Sequence, residues 1–218
     1  MRLLYTRNAG FTRREISERL SITDGGRLSS HLNALLASDF VVKYVPFGLG
    51  KRHEHYKLVD PFCLFFLHFI DGKEKLDEHF WQHGTSLQPI TVWRGLAFEN
   101  VCFNHVRQIK NALGIAGVIT ETSAWSKRQD DEAGLQIDLL ISRNDNVVNM
   151  CELKFYSGDF AVDKEYYKVL LRRQETLAGA VSAKTAVRST LITTFGLMQN
   201  EYSSAFTNVI TLDDLFVD

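Results

Sequence analysis

The chain has little cysteine. Its 218 residues include Cys63, Cys102 and Cys151, widely spaced, odd in number and without a CxxC pair. That pattern excludes a disulfide framework and a cysteine-based zinc site, and it fits a reducing compartment. Long apolar runs are lacking as well. The densest, 61-PFCLFFLHFI-70, has ten residues, and a membrane span needs about 20. The N-terminal MRLLYTRNAG holds no apolar run of signal-peptide length. A cytoplasmic protein without membrane association is therefore expected. There is no internal repeat and no low-complexity segment, and no GxxxxGK[ST] loop occurs, so no ATP site is expected in this chain.

What is present is enough for a packed core. The hydrophobic share is 45%, which argues against disorder. The net charge of −1 conceals an asymmetry. Residues 1–60 carry ten Lys and Arg against six Asp and Glu, and residues 61–218 carry fifteen against twenty. A basic N-terminal part beside an acidic remainder points to a nucleic-acid-facing module.

Periodicity divides the chain into three. In residues 1–60, Thr12 with Glu15 three positions on reads as a capping box opening a helix, 12–20. SITDGG is a turn. A second helix, 26–40, places Leu28, Leu32, Leu35 and Leu36 on one face. Two alternating strands, 40–47 and 52–60, flank a turn at Gly48, Gly50 and Lys51. Helix, turn, helix and hairpin make a winged helix-turn-helix, with 1–9 as a short first helix. Arg13, Arg14, Arg27, Lys43, Lys51 and Arg52 would meet phosphates, and Ser29, Ser30 and Asn33 base edges. A scaffold role in protein contacts is the other reading of this module.

Residues 61–93 form a helical connector rich in aromatics, with Phe62, Phe65, Phe66 and Phe69 expected in the core and Phe80, Trp81 and Trp93 beyond. Residues 94–218 read as helix 94–113, a strand near 116–125, two further strands, helix 163–182, strand 186–195 and a short strand in 208–217. The pairs His53/His55 and His79/His83 lack a third ligand and read as surface histidines. Asp130, Asp131 and Glu132 read as a solvated loop.

The informative stretch is 136-QIDLLISRNDNVVNMCELKFY-156. A turn centred on Asp145 opposes residues whose numbers sum to 290, which sets Asp138 against Glu152, Ile137 against Leu153, Leu139 against Cys151 and Leu135 against Phe155. One face of that hairpin is then apolar. The other carries Asp138, Glu152 and Lys154. Opposed side chains lie about 5 Å apart, so the two carboxylates repel unless something neutralises them. A hard divalent cation does so, and Lys154 beside it can position a water. Those are the parts of metal-assisted phosphodiester hydrolysis. The alternative is a salt-bridge cluster on a solvated face.

Asp138, thirteen intervening residues and then 152-ELK-154 resemble the PD-(D/E)xK nuclease signature, and the element order resembles the restriction-endonuclease-like αβββαβ core. The resemblance implies a Mg²⁺ or Mn²⁺ site made by Asp138, Glu152 and the backbone carbonyl of Leu153, with Lys154 placing the water. It also implies supporting roles for Glu99 in 95-GLAFENV-101 and for Gln174, and pairing into a homodimer. A second resemblance spans nearly the whole chain. The segments 56-YKLVDPFCLFFLHFI-70, GLAFENV, 192-ITTFGLMQNEY-202 and 211-TLDDLF-216 look like the C-terminal half of archaeal-type AAA/STAND-like ATPases. It implies an ATPase domain or partner outside this chain.

The expectation is thus an α+β protein with three parts: a winged helix-turn-helix over 1–60, a connector over 61–93 and a PD-(D/E)xK nuclease-like unit over 94–218. Its expected function is DNA association with metal-dependent endonuclease activity. The alternative is a non-catalytic, nucleic-acid-binding region of an ATPase with a vestigial nuclease fold.

Overall fold

A computed structural model describes residues 1–72, 79, 80, 82, 88–127 and 135–217. Trp81, His83, Asp130, Asp131 and Glu132, on which expectations were placed, lie outside the described residues. The chain is a mixed α+β protein that divides into two compact units, Met1–Val101 and Cys102–Asp218. No helix among the described residues is long and apolar enough to cross a membrane.

The first unit opens with helix α1 (Arg2–Tyr5), strand β1 (Phe11–Thr12), and helices α2 (Arg13–Leu20) and α3 (Gly26–Ala37). Thr12 caps α2 as its sequence predicts. Its side chain accepts from the Glu15 N–H, and the Glu15 carboxylate reaches back to the Thr12 N–H at 2.7 Å. Strands β2 (Val41–Tyr44) and β3 (His55–Leu58) are antiparallel, and the three-stranded sheet runs β1-β3-β2. The wing strands are shorter than the alternation implied, because Lys51–His53 forms a 3₁₀ turn. Leu28 and Leu32 are buried together with Leu4, Phe11, Ile16, Val41, Tyr56 and Leu58, and Leu35 and Leu36 pack against that cluster. Gly10 has φ +73°, and a Cβ there would lie 2.2 Å from the Tyr56 carbonyl oxygen, so only glycine fits this approach of β1 to β3.

Asp60 caps the next helix, α4 (Pro61–Phe65), which passes into a π turn, Phe66–Ile70. Phe65 and Phe69, one helical turn apart, pack with Phe80 and Trp93 at ring-centroid distances of 5.0 to 5.9 Å. Phe62 and Phe66 share the opposite side and are 71% and 38% exposed, so the expectation that all four were core is corrected. Helix α5 (Gln88–Asn104) follows, and the division between the units falls within it.

The second unit continues with α6 (Val106–Ala112), strands β4 (Thr120–Lys127), β5 (Leu135–Arg143) and β6 (Val147–Lys154), helix α7 (Lys164–Ala180), and strands β7 (Ala186–Thr193) and β8 (Asn208–Ile210). The helix expected over 94–113 is broken at His105, whose backbone leaves the helical region. The five strands lie in the order β4-β5-β6-β7-β8. The first three are antiparallel neighbours, and β7 and β8 add in parallel to β6. The β5–β6 ladder pairs Leu139 with Cys151, Leu140 with Met150, Ile141 with Asn149 and Ser142 with Val148. Those numbers sum to 290, the register that the Asn144–Asn146 turn implies. Asn146 supplies the left-handed residue, at φ 62°.

One expectation about the hairpin changes. Leu139, Leu140, Ile141, Met150 and Cys151 are all fully buried, so both faces of its centre are covered. A sheet whose inner strands carry parallel neighbours is typically enclosed on both sides, and its strands read as near-continuous apolar runs. Phe155, expected on the apolar face, lies past the end of β6 and is 38% exposed.

Candidate functional site

The acidic residue of β6 is where the covering of the sheet matters most. Glu152 is 3% exposed. A carboxylate that far from water is stable only if its charge and lone pairs are satisfied. Helix α7 does this. Asp163 caps it by accepting from the Tyr166 N–H at 2.7 Å. From there Tyr166, Leu170, Arg173 and Leu177 recur at helical spacing, and Leu170 and Leu177 are buried. The Tyr166 hydroxyl donates to Glu152 Oε2 at 2.7 Å, and Arg173 Nη1 donates to Oε1 at 2.5 Å. Each carboxylate oxygen thus has its own donor, one of them a cation.

The remaining charged residues gather around this pair. Lys154 Nζ sits 4.8 Å from the Tyr166 ring centroid, a cation–π contact. Asp138 is half-buried, and its Oδ1 accepts from Gln136 Nε2 at 2.7 Å. The β5–β6 ladder ends at Leu139–Cys151, one residue short of Asp138 and Glu152. The two acids act on the same neighbours. Burial works to lower the Arg173 pKa, but the charge and hydrogen bond of Glu152, with Asp138 adding, leave it raised. Burial first, then the Glu152 charge, pushes the Tyr166 phenol far up, so it stays a neutral donor. Glu152 is buried, whereas Asp138 and Lys154 are half-buried, and Tyr166 and Arg173 of α7 are the neighbours through which the three charges act.

This arrangement bears on the implied metal. A divalent ion between Asp138 and Glu152 would share the Glu152 oxygens with the Tyr166 and Arg173 donors of α7. Among the described residues, no three His, Cys, Asp or Glu side chains are grouped to hold a metal ion. As arranged, each oxygen of Glu152 accepts one hydrogen bond from α7, and the Arg173 guanidinium supplies a cation beside it. The Leu153 side chain is buried in the sheet, and the residue pairs with Ile192 of β7. Glu99, on α5, accepts from Asn8 Nδ2 at 2.9 Å within the first unit. Gln174 is half-buried on α7, and its neighbour Arg173 is the residue that reaches Glu152.

Tyr166 and Arg173 were missed in the sequence. The signal was the stripe Tyr166–Leu170–Arg173–Leu177, in which an arginine occupies an inward position of an amphipathic helix. An arginine there needs a buried acid opposite it, and Glu152 is the acid in the preceding strand.

The nine residues expected to meet DNA fall into two groups. Three of the bases are engaged at home: Arg13 with Asp24 at 2.6 Å, Arg14 with Glu18 at 2.7 Å and Lys43 with Glu54 at 3.3 Å. Ser29 is half-buried, and its hydroxyl donates to the Gly25 carbonyl at 3.3 Å. Arg27, Ser30 and Asn33 are exposed along α3, and Lys51 and Arg52 are exposed at the tip of the β2–β3 hairpin, where Arg52 Nε donates to His53 Nε2 at 3.0 Å. His55 Nδ1 lies 2.7 Å from the His53 carbonyl oxygen.

No protein-family model, no curated protein and no solved structure matches the chain. Function is therefore argued from these residues.

Proposed function

We propose that this chain is a DNA-associated regulatory protein that binds without cutting. In this reading the first unit holds a winged helix-turn-helix that contacts duplex DNA through Arg27, Ser30, Asn33, Lys51 and Arg52. The second is a restriction-endonuclease-like αβββαβ core kept as a folded framework. An ATPase of the kind the sequence resembles would act as its partner. The observation that carries the non-cleaving reading is the Glu152 carboxylate, 3% exposed and bonded at both oxygens by Tyr166 and Arg173. Folds outlive their chemistry, and an internal cation in place of a metal is one way for that to happen.

One observation favours a second reading, metal-dependent phosphodiester hydrolysis. It is the Leu139–Cys151 pairing, which extended by one residue would bring Asp138 opposite Glu152, with Lys154 two residues further along β6. That reading requires Arg173 to leave Glu152. Two experiments separate them. Duplex DNA, single-stranded DNA and RNA are incubated with the full chain and Mg²⁺ or Mn²⁺, with binding followed by anisotropy. Mn²⁺ is also titrated calorimetrically into wild type and Asp138→Ala. The expected result is duplex binding, no cleavage, and the same heat from both proteins. Divalent-dependent cleavage that is lost in both Glu152→Gln and Lys154→Ala would overturn the proposal in favour of hydrolysis.

A further inference from the structure

We propose that the cavity between α6 and β4 is a binding site for a phosphoryl oxyanion. The cavity has a volume of about 310 Å³ and lies wholly within the second unit. Arg107, Lys110 and Asn111 of α6 line it, together with Thr120 and Thr122 of β4. The three α6 residues stand at i, i+3 and i+4, hence on one helix face. The two threonines stand at i and i+2, hence on one face of a strand at the edge of its sheet. Glu121, between them in sequence, alternates to the other face, and no carboxylate lines the cavity.

The chemistry is one-sided. A guanidinium, an ammonium, an amide and two hydroxyls all offer N–H or O–H donors. Among the described residues neither Arg107 nor Lys110 makes an ion pair, in a protein where Arg2, Arg7, Arg13, Arg14, Arg143 and Arg173 all do. Two cations three residues apart on one helix face repel each other. An oxyanion between them removes that repulsion and accepts the donors, and arginine and lysine with hydroxyl support is the donor set that phosphate takes. The volume is about ten times that of one water, so it admits a phosphate and part of what it is esterified to. The shared ligand chemistry is therefore a phosphate or phosphate ester, whether free in solution or part of a nucleic-acid backbone. The site needs neither Glu152 nor a metal, and it would stand if the reading of the Glu152 cluster fell.

The test uses the full chain and the variant Arg107→Gln/Lys110→Gln, whose two side chains are exposed and half-buried. Inorganic phosphate and pyrophosphate are titrated while backbone amide signals are followed by NMR. Separately, a labelled duplex is bound across a range of salt concentrations. Saturable shifts confined to the α6 and β4 residues, near about 1 mM and weakened at least tenfold in the variant, are the expected result. If the variant also lowers the salt slope of duplex binding by about one to two, the phosphate is that of a nucleic-acid backbone. An unchanged slope with lost phosphate shifts identifies a small free phosphate as the ligand. No saturable shift and no change in duplex binding would overturn the proposal, as would phosphate shifts that persist in the variant.

Discussion

Arg173→Met is the most direct probe of the Glu152 cluster. Methionine keeps the length of the arginine stem and removes its charge. Glu152, 3% exposed, then retains only the Tyr166 hydroxyl. Removing one partner of a buried, hydrogen-bonded ion pair costs about 3 kcal/mol, because the surviving charge is stranded. The reciprocal change is milder. In Glu152→Gln the amide oxygen still accepts from Tyr166, and the Arg173 side chain, 23% exposed, has access to water. A loss of about 1–2 kcal/mol is expected. The double variant has no stranded charge, and its loss is about 2 kcal/mol, well below the summed singles.

The assay is urea unfolding of all four proteins, read by tryptophan fluorescence and far-UV circular dichroism, with the coupling taken from the cycle. A coupling of about 2–3 kcal/mol is expected. The pH dependence supplies a second readout. An uncompensated buried carboxylate has its folded pKa raised above the unfolded value of about 4.3. The unfolded state then binds fewer protons, so the stability of Arg173→Met falls as pH rises through that raised pKa. Its deficit against wild type is largest at neutral pH and shrinks toward pH of about 4. Singles that add to the double within about 0.5 kcal/mol, with no such pH dependence, would refute the claim that Arg173 neutralises Glu152.

Three further outcomes are expected. The Arg7 guanidinium, aided by the Thr12 N–H and hydroxyl and opposed by burial, holds Glu15 down at about 2 from 4.5. A depressed acid contributes stability that is present above 4.5 and lost as pH falls through about 2. Glu15→Gln should therefore cost about 1 kcal/mol at neutral pH and flatten an acid titration of the helix signal in that window. Gly10→Ala, forcing a Cβ against the Tyr56 carbonyl at a left-handed φ, should lower stability by more than about 2 kcal/mol in the same unfolding assay. In DNA binding, Arg27→Gln/Lys51→Gln/Arg52→Gln should lower the salt slope by about two to three. Arg13→Gln/Arg14→Gln should change it less, because those bases are held by Asp24 and Glu18, and equal effects would discard the proposed contact face.

The elements that local chemistry dictates were readable before any coordinates. The Thr12–Glu15 box, the leucine face of α3, the Asn144–Asn146 turn and the β5–β6 register all depend on residues close in sequence, so spacing and turn chemistry are enough. What spacing could not supply was depth. Phe62 and Phe66 look the same as Phe65 and Phe69 in a sequence window, and only the helix phase separates exposed from buried. The break at His105 was equally hidden, since the apolar stripe runs through it.

The fate of the three charges shows why the candidate site was only half legible. Alternation puts Glu152 and Lys154 on one face of β6, because a strand's period is fixed by its backbone. What lies over that face is a tertiary question, settled by a helix that starts ten residues after β6 ends. Carboxylate repulsion demands a cation without saying which kind. A metal meets the demand if the face is open. An arginine meets it if the face is covered, and here Arg173 takes one carboxylate oxygen while Tyr166 of the same helix takes the other. Glu152 is 3% exposed beneath α7, and Arg173 of that helix is the cation it meets. The same logic gives the cluster its vulnerability: a guanidinium can swing away where a core leucine cannot. In the proposed reading Arg173 stays on Glu152, and divalent-dependent cleavage would require it to leave.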